Sequence, residues 1–501
     1  MRPLLTPEQM ARADAATIAS GVAGEVLMER AGRAVARAAR RVAGGRYGRR
    51  AAVVCGVGNN GGDGFVAAHA LRAEGLGARC LIVGDGGRIK GAARHHLDEM
   101  VRAGVPAEKF DARRLEDADV IVDALFGTGF RGAVEGDARE AVEAVSDADA
   151  PVVAVDIPSG VNGATGAVEG PAVHAEVTVA MAAEKLGTAL SPGAMYAGHV
   201  EVADIGIEIG DSDIAMCQRS DVVRVLPARP PDAHKRTMGA VALVGGSAGM
   251  SGAVILAATA VLRTGAGYVT AGVTQSIDDV LSIAVPEALT VVLSDTAVLG
   301  PDALDRFSGV LERVQVVAIG PGLGRGDGQT GLVEAALRRI EVPVVVDADG
   351  LNVLAGHTGP LADRKATTVI TPHPAELARL LDSSTADVQG DRLGAVVEAA
   401  QRFACTVVLK GLRSLTADPA GRVVVNPTGG PELATAGTGD VLTGVVSALL
   451  AAGLGPFEAA WGAVYLHGLA GAVAAERGGP AGVIAGDVAA AVPAAIARLA
   501  R

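Results

Sequence analysis

Aromatic side chains are scarce in this chain of 501 residues, at 2%. Its cores must therefore be filled by Val, Leu, Ile and Ala packed around 68 glycines. Basic residues are outnumbered, with Lys and Arg at 44 against Asp and Glu at 56, for a formal net charge of -12. With no Lys/Arg block to offset that balance, a nucleic-acid surface is excluded. Only four cysteines occur, Cys55, Cys80, Cys217 and Cys405. They are widely separated and form no CxxC pair, which suggests a reducing compartment and no structural zinc. The start, Met1 to Glu8, lacks the apolar core of a signal peptide, and no uncharged run is long enough to span a membrane. A soluble, cytoplasmic protein is expected.

Hydrophobic residues at 50% and charged residues at 20% mark a globular chain, too long for one ordinary core, so two domains are expected. The stretch with most chemical content lies late: Thr435-Ala436-Gly437-Thr438-Gly439-Asp440, running into the apolar pattern Val441 to Ala452. Glycines free the backbone to converge its N–H groups, and the helix that follows adds free donors and the positive end of its dipole. The result is an anion site with a carboxylate at its rim. Asp440 then reads either as a base for a hydroxyl attacking the bound anion or as an ordinary helix cap.

From the N-terminus, Thr6-Pro7-Glu8-Gln9 starts a helix with a capping box, and a second helix covers Val26 to Val42. Ala51 to Cys55 is a strand, Gly56 to Gly64 a glycine loop, and Phe65 to Glu74 a helix, the opening of a doubly wound α/β unit. The loop satisfies GxGxxG at Gly56, Gly58 and Gly61, yet Asn59, Asn60 and Asp63 crowd it. They suit a hard cation and sugar or amide groups better than a pyrophosphate; an Asx-rich turn is the plainer reading. Further strands at 79–83, 120–124 and 151–155 end in polar residues, so the Asn59 loop, Asp123, the Gly127–Gly132 loop, Asp156 and Ser159 should meet in one cleft. Strands at 176–181 and 199–204 complete this sheet, with Lys185 between them.

Charge and prolines between Asp211 and Asp232 mark a junction, with the boundary near Arg219. A second α/β pattern follows, with strands at 240–244, 268–273, 289–293, 315–319, 342–347, 367–371 and 405–409 and helices such as 252–264 and 331–340. Asp347, Asp349, His373, Glu376 and Lys410 all fall at strand ends. Lys410 reads as a phosphate contact or a snorkelling surface lysine, and His373, between two prolines, as a substrate contact or a turn residue. Glu376 and the Asp347/Asp349 pair read as partners for magnesium-bound water or as cap acids.

Four blocks in the first half, Leu27 to Gly32, Gly58 to Gly64, Asp123 to Gly129 and Asp156 to Gly160, resemble the NAD(P)H-hydrate epimerase domain, a Rossmann-like fold. The second half, through Asn426-Pro427-Thr428 and Gly437-Thr438-Gly439-Asp440, resembles the ADP-dependent NAD(P)H-hydrate dehydratase domain of the ribokinase-like superfamily. The resemblance implies two three-layer α/β/α domains, over 1–215 and 220–501. In the first it implies a potassium ion on Asn60, Asp123 and Ser159. Substrate contacts there would be Asn59, Asn60, Gly61, Gly62, Asp63, Gly127, Thr128, Gly129, Phe130, Arg131, Gly132, Ala133 and Asp156, the last also the candidate acid/base. In the second it implies substrate contacts from Ala253, Gly322, His373 and Asp440. Nucleotide contacts would come from Lys410, Gly411, Leu412, Arg413, Ser414, Gly437, Thr438 and Gly439, with Mg2+ and with ADP as co-substrate. Gly430, Glu432 and Arg236 depart from the family pattern.

The implied activity is repair of hydrated NADH and NADPH. The first domain interconverts the R and S hydrates; the second dehydrates the S form, consuming ADP and yielding AMP and phosphate, with Asp440 catalytic. A homo-oligomer acting on small molecules alone is expected. The competing reading is an ATP-dependent vitamin-type kinase with a non-catalytic N-terminal binding module.

Overall fold

The computed structural model describes residues 1–476 and 478–500. It divides into two units, one of Pro3–Ser212 and one of Met1–Arg2 with the residues from Asp213 onward. The division falls a few residues before Arg219 because Ile214–Met216 is a strand, paired in parallel with Val423–Val425 of the second sheet. Three residues in a charged, proline-rich stretch gave no strand signal of their own.

In the first unit a parallel sheet runs in the order Ala107–Lys109, Gly77–Ile82, Arg50–Cys55, Val120–Ala124, Val152–Val155, Val177–Met181, His199–Ala203. Central strands are apolar throughout because both faces are covered. Val53, Val120 and Val122 enter one core with the helices Gly24–Val42, Asn59–Ala73 and Gly91–Arg102. Ala52, Val54 and Ile121 enter the other with the helix Gly136–Ser146. Strand order reverses at Arg50–Cys55, whose neighbours are the next strand in sequence on one edge and Val120–Ala124 on the other. A doubly wound sheet opens a ligand crevice at such a point, beyond the carboxyl ends of the strands.

The capping box forms as expected, with Gln9 N–H donating to Thr6 Oγ1 at 3.1 Å and Thr6 N–H to Gln9 Oε1 at 2.8 Å. The glycine loop is a correction. Its helix begins at Asn59 rather than Phe65, so Asn60, Gly61, Gly62 and Asp63 lie in the first turns. These glycines serve close packing rather than a turn: a Cβ on Gly61 would stand 2.0 Å from the Gly56 carbonyl oxygen, and one on Gly62 2.5 Å from Met28 Sδ. The helices Gly91–Arg102 and Gly136–Ser146 and the edge strand Ala107–Lys109 escaped sequence reading.

In the second unit the sheet order is Leu289–Ser294, Tyr268–Thr274, Ala240–Val244, Val316–Ile319, Val344–Val346, Thr368–Ile370, Thr406–Leu409, then Leu415–Ala417, Val423–Val425 and Ile214–Met216. It is parallel as far as Thr406–Leu409 and antiparallel through the next two strands. Four largely apolar helices, Ser251–Thr264, Thr438–Ala451, Pro456–Ala475 and Ala485–Leu499, share one core with the sheet. The alternate residues Val317, Ile319, Val344 and Val346 are buried as well, so both faces are covered. Gly444 sets the approach of two helices, since a Cβ there would meet the Ala257 carbonyl oxygen at 2.4 Å. No helix among the described residues is long and apolar enough to cross a membrane.

Close backbone approach at the crevice makes a prediction. Gly61→Ala lowers stability by about 1–3 kcal/mol through overpacking, whereas Gly390→Ala, with nothing within 4 Å of its added Cβ, is near neutral. Thermal unfolding of the two variants checks this; equal melting temperatures would refute the packing role.

Candidate active sites

The crevice of the first unit is a cavity of about 920 Å³. Asn59, Asn60, Asp63, the loop Gly127–Arg131 and Asp156 line it together, as the strand ends led us to expect, with Lys185 beside them; Asp123 and Ser159, expected in the same cleft, are not part of its lining. Phe126 and Phe130 stack at 5.0 Å and give it an apolar wall. Four expected contacts lie outside the lining. Gly61 and Gly62 are buried behind it in the helix packing, Gly132 is part-exposed, and Ala133 is exposed.

Asp123 and Ser159 are buried and joined to each other. Ser159 donates through Oγ to Asp123 Oδ1 at 2.6 Å and through N–H to Oδ2 at 2.8 Å. Phe126 N–H donates to Ser159 Oγ at 3.0 Å, and its carbonyl accepts from Asn60 Nδ2 at 2.9 Å. Asn60, Asp123 and Ser159 thus form one polar chain through the Phe126 backbone. Burial lifts the Asp123 carboxyl to about 6, against the Ser159 and Leu125 hydrogen bonds that favour its charge. Carboxylate, amide oxygen and hydroxyl make an oxygen-only set with one negative charge, suited to a hard cation.

Asp156 ends its strand with φ of 67°, a left-handed conformation uncommon outside glycine. Its Oδ1 accepts from Met181 N–H at 3.0 Å and from the fully buried Lys185 Nζ, which also donates to the Met181 carbonyl at 2.7 Å. Lys185, which the sequence placed only between strands, is therefore a site residue. Asp63 is pushed well above the usual carboxylate range, first by burial and then by the charge of Asp156, with Lys185 opposing. The cleft thus holds an acid whose burial favours its neutral form beside the Asp156–Lys185 pair.

In the second unit the glycine loop ends at Gly437, whose φ of 90° makes it the N-cap of Thr438–Ala451. Thr438, Gly439 and Asp440, expected partly in the loop, form the first helical turn, with free N–H groups at its start. Lys410 Nζ donates to Asp347 Oδ1 at 2.8 Å and lies 3.8 Å from Glu376 Oε2. Thr443, one turn along the same helix, donates to Asp347 Oδ2 at 2.6 Å. A Cβ on Gly439 would stand 3.4 Å from Lys410 Nζ, an ordinary contact, which places the ammonium beside the helix start. Burial works against the Lys410 charge, but Asp347 and Glu376 outweigh it and its pKa rises. Lys410 is an inward ion-pair partner, not a surface residue.

Burial, then the charge of Asp347, lifts Asp440 to about 7 while Lys410 opposes. A group titrating there is a competent general base near neutrality. Ala253 and Gly322 come together: a Cβ on Gly322 would lie 3.1 Å from Ala253 Cβ. His373 caps the helix Pro374–Leu381, its Nδ1 accepting from Ala375 N–H at 3.1 Å, with the ring half-exposed. Burial and the Lys410 charge lower its pKa, and an accepting Nδ1 leaves Nε2 as the N–H. Glu376 completes this cap, accepting from His373 N–H at 2.8 Å.

Asp349 does not join Asp347. Its carboxylate accepts from Gly324 N–H at 3.0 Å and Arg325 Nε at 2.9 Å, fixing the preceding loop. Gly411 and Leu412 are exposed, Arg413 adopts φ of 55°, and Ser414 closes the loop by donating to the Gly411 carbonyl at 2.8 Å. Sequence reading missed Arg392, a buried guanidinium 3.4 Å from the Lys410 carbonyl oxygen. Glu432, which departs from the family pattern, turns onto its own loop and accepts from Gly430 N–H at 2.8 Å.

Comparisons with known proteins match both halves of the chain. A family model described as NAD(P)H-hydrate dehydratase matches residues 241–494, and one described as YjeF-related protein N-terminus matches 24–187. A bifunctional NAD(P)H-hydrate repair enzyme of Moorella thermoacetica is 41% identical, over 92% of this chain and 90% of the relative. One of Thermofilum pendens is 40% identical over the same shares. Among solved structures, the Bacillus subtilis ADP/ATP-dependent NAD(P)H-hydrate dehydratase, co-crystallised with ATP and Mg2+, is 29% identical with a TM-score of 0.50, covering 57% of this chain and 98% of its own. A ribokinase-like superfamily protein of Enterococcus faecalis, 25% identical, has a TM-score of 0.51 and covers 58% of this chain and 98% of its own. With both halves matched and the alignments running nearly end to end, the chain belongs to the family of bifunctional NAD(P)H-hydrate repair enzymes.

Proposed function

We propose that the first unit, within 1–215, epimerises the C6 hydrates of NADH and NADPH, and that the second, within 220–501, dehydrates the S epimer using ADP. The observation that carries this is Asp440, a carboxyl titrating at about 7 in the first turn of a helix, with the Lys410 ammonium facing that turn. In the dehydratase step Asp440 takes the proton of the C6 hydroxyl as its oxygen bonds to the terminal phosphorus of ADP. The bond from that phosphorus to the bridging oxygen breaks and AMP leaves. The ring N1 lone pair then expels phosphate from C6, and loss of a C5 proton restores the double bond. Helix N–H groups hold the phosphate charge.

Gly437–Gly439 and Lys410–Ser414 are the nucleotide contacts in this reading, and Ala253, Gly322 and His373 hold the hydrate. Ser247 Oγ and Thr371 Oγ1, at the ends of two strands of this sheet, are buried with no protein partner among the described residues, which fits a polar ligand there. Asp347, Asp349 and Glu376 are held by protein donors. Mg2+ is therefore expected on the nucleotide phosphates, where it would neutralise charge.

In the epimerase, Asp63 protonates the C6 hydroxyl, which leaves as water while N1 supplies the electron pair. Water returns to the opposite face and gives its proton to Asp156, which Lys185 holds in position. Asn60, Asp123 and Ser159 fit a potassium ion that would fix the Phe126–Gly129 backbone against the substrate.

A mixed R/S hydrate should recover its full near-ultraviolet reduced-nicotinamide absorbance with ADP. Asp440→Asn should abolish that recovery yet leave epimerisation intact; Asp63→Asn should stop recovery at the S fraction. Retained dehydration by Asp440→Asn would sink the assignment.

Dehydration should rise with pH through about 7, as Asp440 ionises. The same shift costs stability. With a folded pKa of about 7 against roughly 3.9 unfolded, its contribution is complete below the unfolded value and lost as pH rises to the folded one. Asp440→Asn should therefore be more stable than the parent near pH 8, on the order of 1–2 kcal/mol after solvent screening, and equal to it near pH 4. Melting curves at both pH values decide this.

A further inference from the structure

One cluster in the first unit has no part in the chemistry above. On the helix Gly91–Arg102, His95 and His96 share Glu99: His95 Nε2 lies 3.4 Å from Oε1, and His96 Nδ1 3.2 Å from Oε2. Glu29, on the helix Gly24–Val42, stands 4.0 Å from the same His96 Nδ1. The three nearest ligand atoms, one from each residue, lie within 4.8 Å of one another. Bonds of about 2.0–2.2 Å to a tetrahedral zinc place ligands roughly 3.4 Å apart; the two histidine–Glu99 distances match that on separate carboxylate oxygens, and the whole set falls within 4.8 Å.

His96 gives the cluster its direction. Its side chain is only 6% exposed. Its Nε2 lies 3.1 Å from the Glu25 carbonyl oxygen. A carbonyl only accepts, so Nε2 carries a proton, and Nδ1 is left facing Glu99 and, at 4.0 Å, Glu29. A ring nitrogen facing two acids that cannot donate when ionised calls for a positive centre between them, a proton on Nδ1 or a metal ion. A cation between them satisfies all three. A backbone carbonyl bonded to the far nitrogen is also how metal-bound histidines are usually held in orientation.

We propose that His95, His96 and Glu99, supported by Glu29, bind one divalent cation of the zinc class. The cysteine spacing speaks against a thiolate zinc site; this one relies on imidazole and carboxylate. Two imidazoles and a carboxylate favour zinc or cobalt over magnesium or potassium, which prefer all-oxygen sets. The ion would tie together two helices whose other faces, at Leu27, Met28 and Ala92, line the epimerase cleft.

The test uses the full, tag-free chain, stripped with a chelator and kept in excess Mg2+ to occupy oxygen sites. Titration with Co2+ should give one equivalent bound, with the intense visible bands of a four-coordinate N/O site, displaced by Zn2+. Glu29→Gln should weaken binding roughly 10–100-fold. His95 is half-exposed, so His95→Ala should fold normally and lose the bands and the stoichiometry. No Co2+ spectrum in the parent, or the same spectrum and stoichiometry in His95→Ala, overturns the site.

Discussion

At both crevices, neighbouring strand-end loops come closer than a Cβ permits. In the first unit a Cβ on Gly56 would stand 2.2 Å from the Leu125 carbonyl oxygen, and in the second one on Gly245 would stand 2.2 Å from that of Pro321. Gly320 is tighter, with a Cβ 1.9 Å from the Asp347 carbonyl oxygen. These contacts fix the ends of adjacent parallel strands, and Asn60, Asp63, Asp123, Ala253, Gly322 and Asp347 are carried by those ends or by the helix just beyond. Relaxing one such contact moves a loop and the acid or base it carries, and a misplacement of about 1 Å at a reacting centre can cost on the order of 100-fold in rate.

On this framework the two units reach a similar electrostatic solution. Each buries a lysine against one aspartate, Lys185 on Asp156 and Lys410 on Asp347. Each then places a second aspartate nearby, and burial and the first acid's charge push Asp63 and Asp440 upward. Carboxyl groups held in unlike environments can divide acid and base work at one pH. The parallel lies in physics rather than descent, since the sheets differ in order and in the antiparallel strands of the second.

Fold class, strand positions and the convergence of strand ends were legible because parallel strands buried on both faces read as short apolar runs and their loops collect polar residues. Helix starts were less legible. Glycine serves both turns and close packing, and nothing local told Gly61 and Gly62, inside a helix, from Gly437, which does take a positive φ. Partnerships at long range left no trace: Lys185 meets Asp156 from 29 residues away, and Lys410 meets Asp347 from 63. Asp349 looked like a second ligand beside Asp347, yet its neighbours in space are Gly324 and Arg325. Glu432 departs from the family pattern, and the fold turns it onto its own backbone.

Buried ion pairs are poor stabilisers, since desolvation offsets most of the attraction. Keeping Lys410 and Asp347 therefore needs a reason beyond folding, and the Thr443 hydroxyl supplies one. It fixes Asp347 to the same helix that carries Asp440, one turn away. Paired with Asp347, the ammonium stays beside the helix start, where the proposed reaction would gather phosphate charge. A free lysine there would neutralise the base as readily as the phosphate. Pinned by Asp347, it lowers Asp440 only in part, leaving a carboxyl near 7 that is both available at neutral pH and basic enough to take a hydroxyl proton.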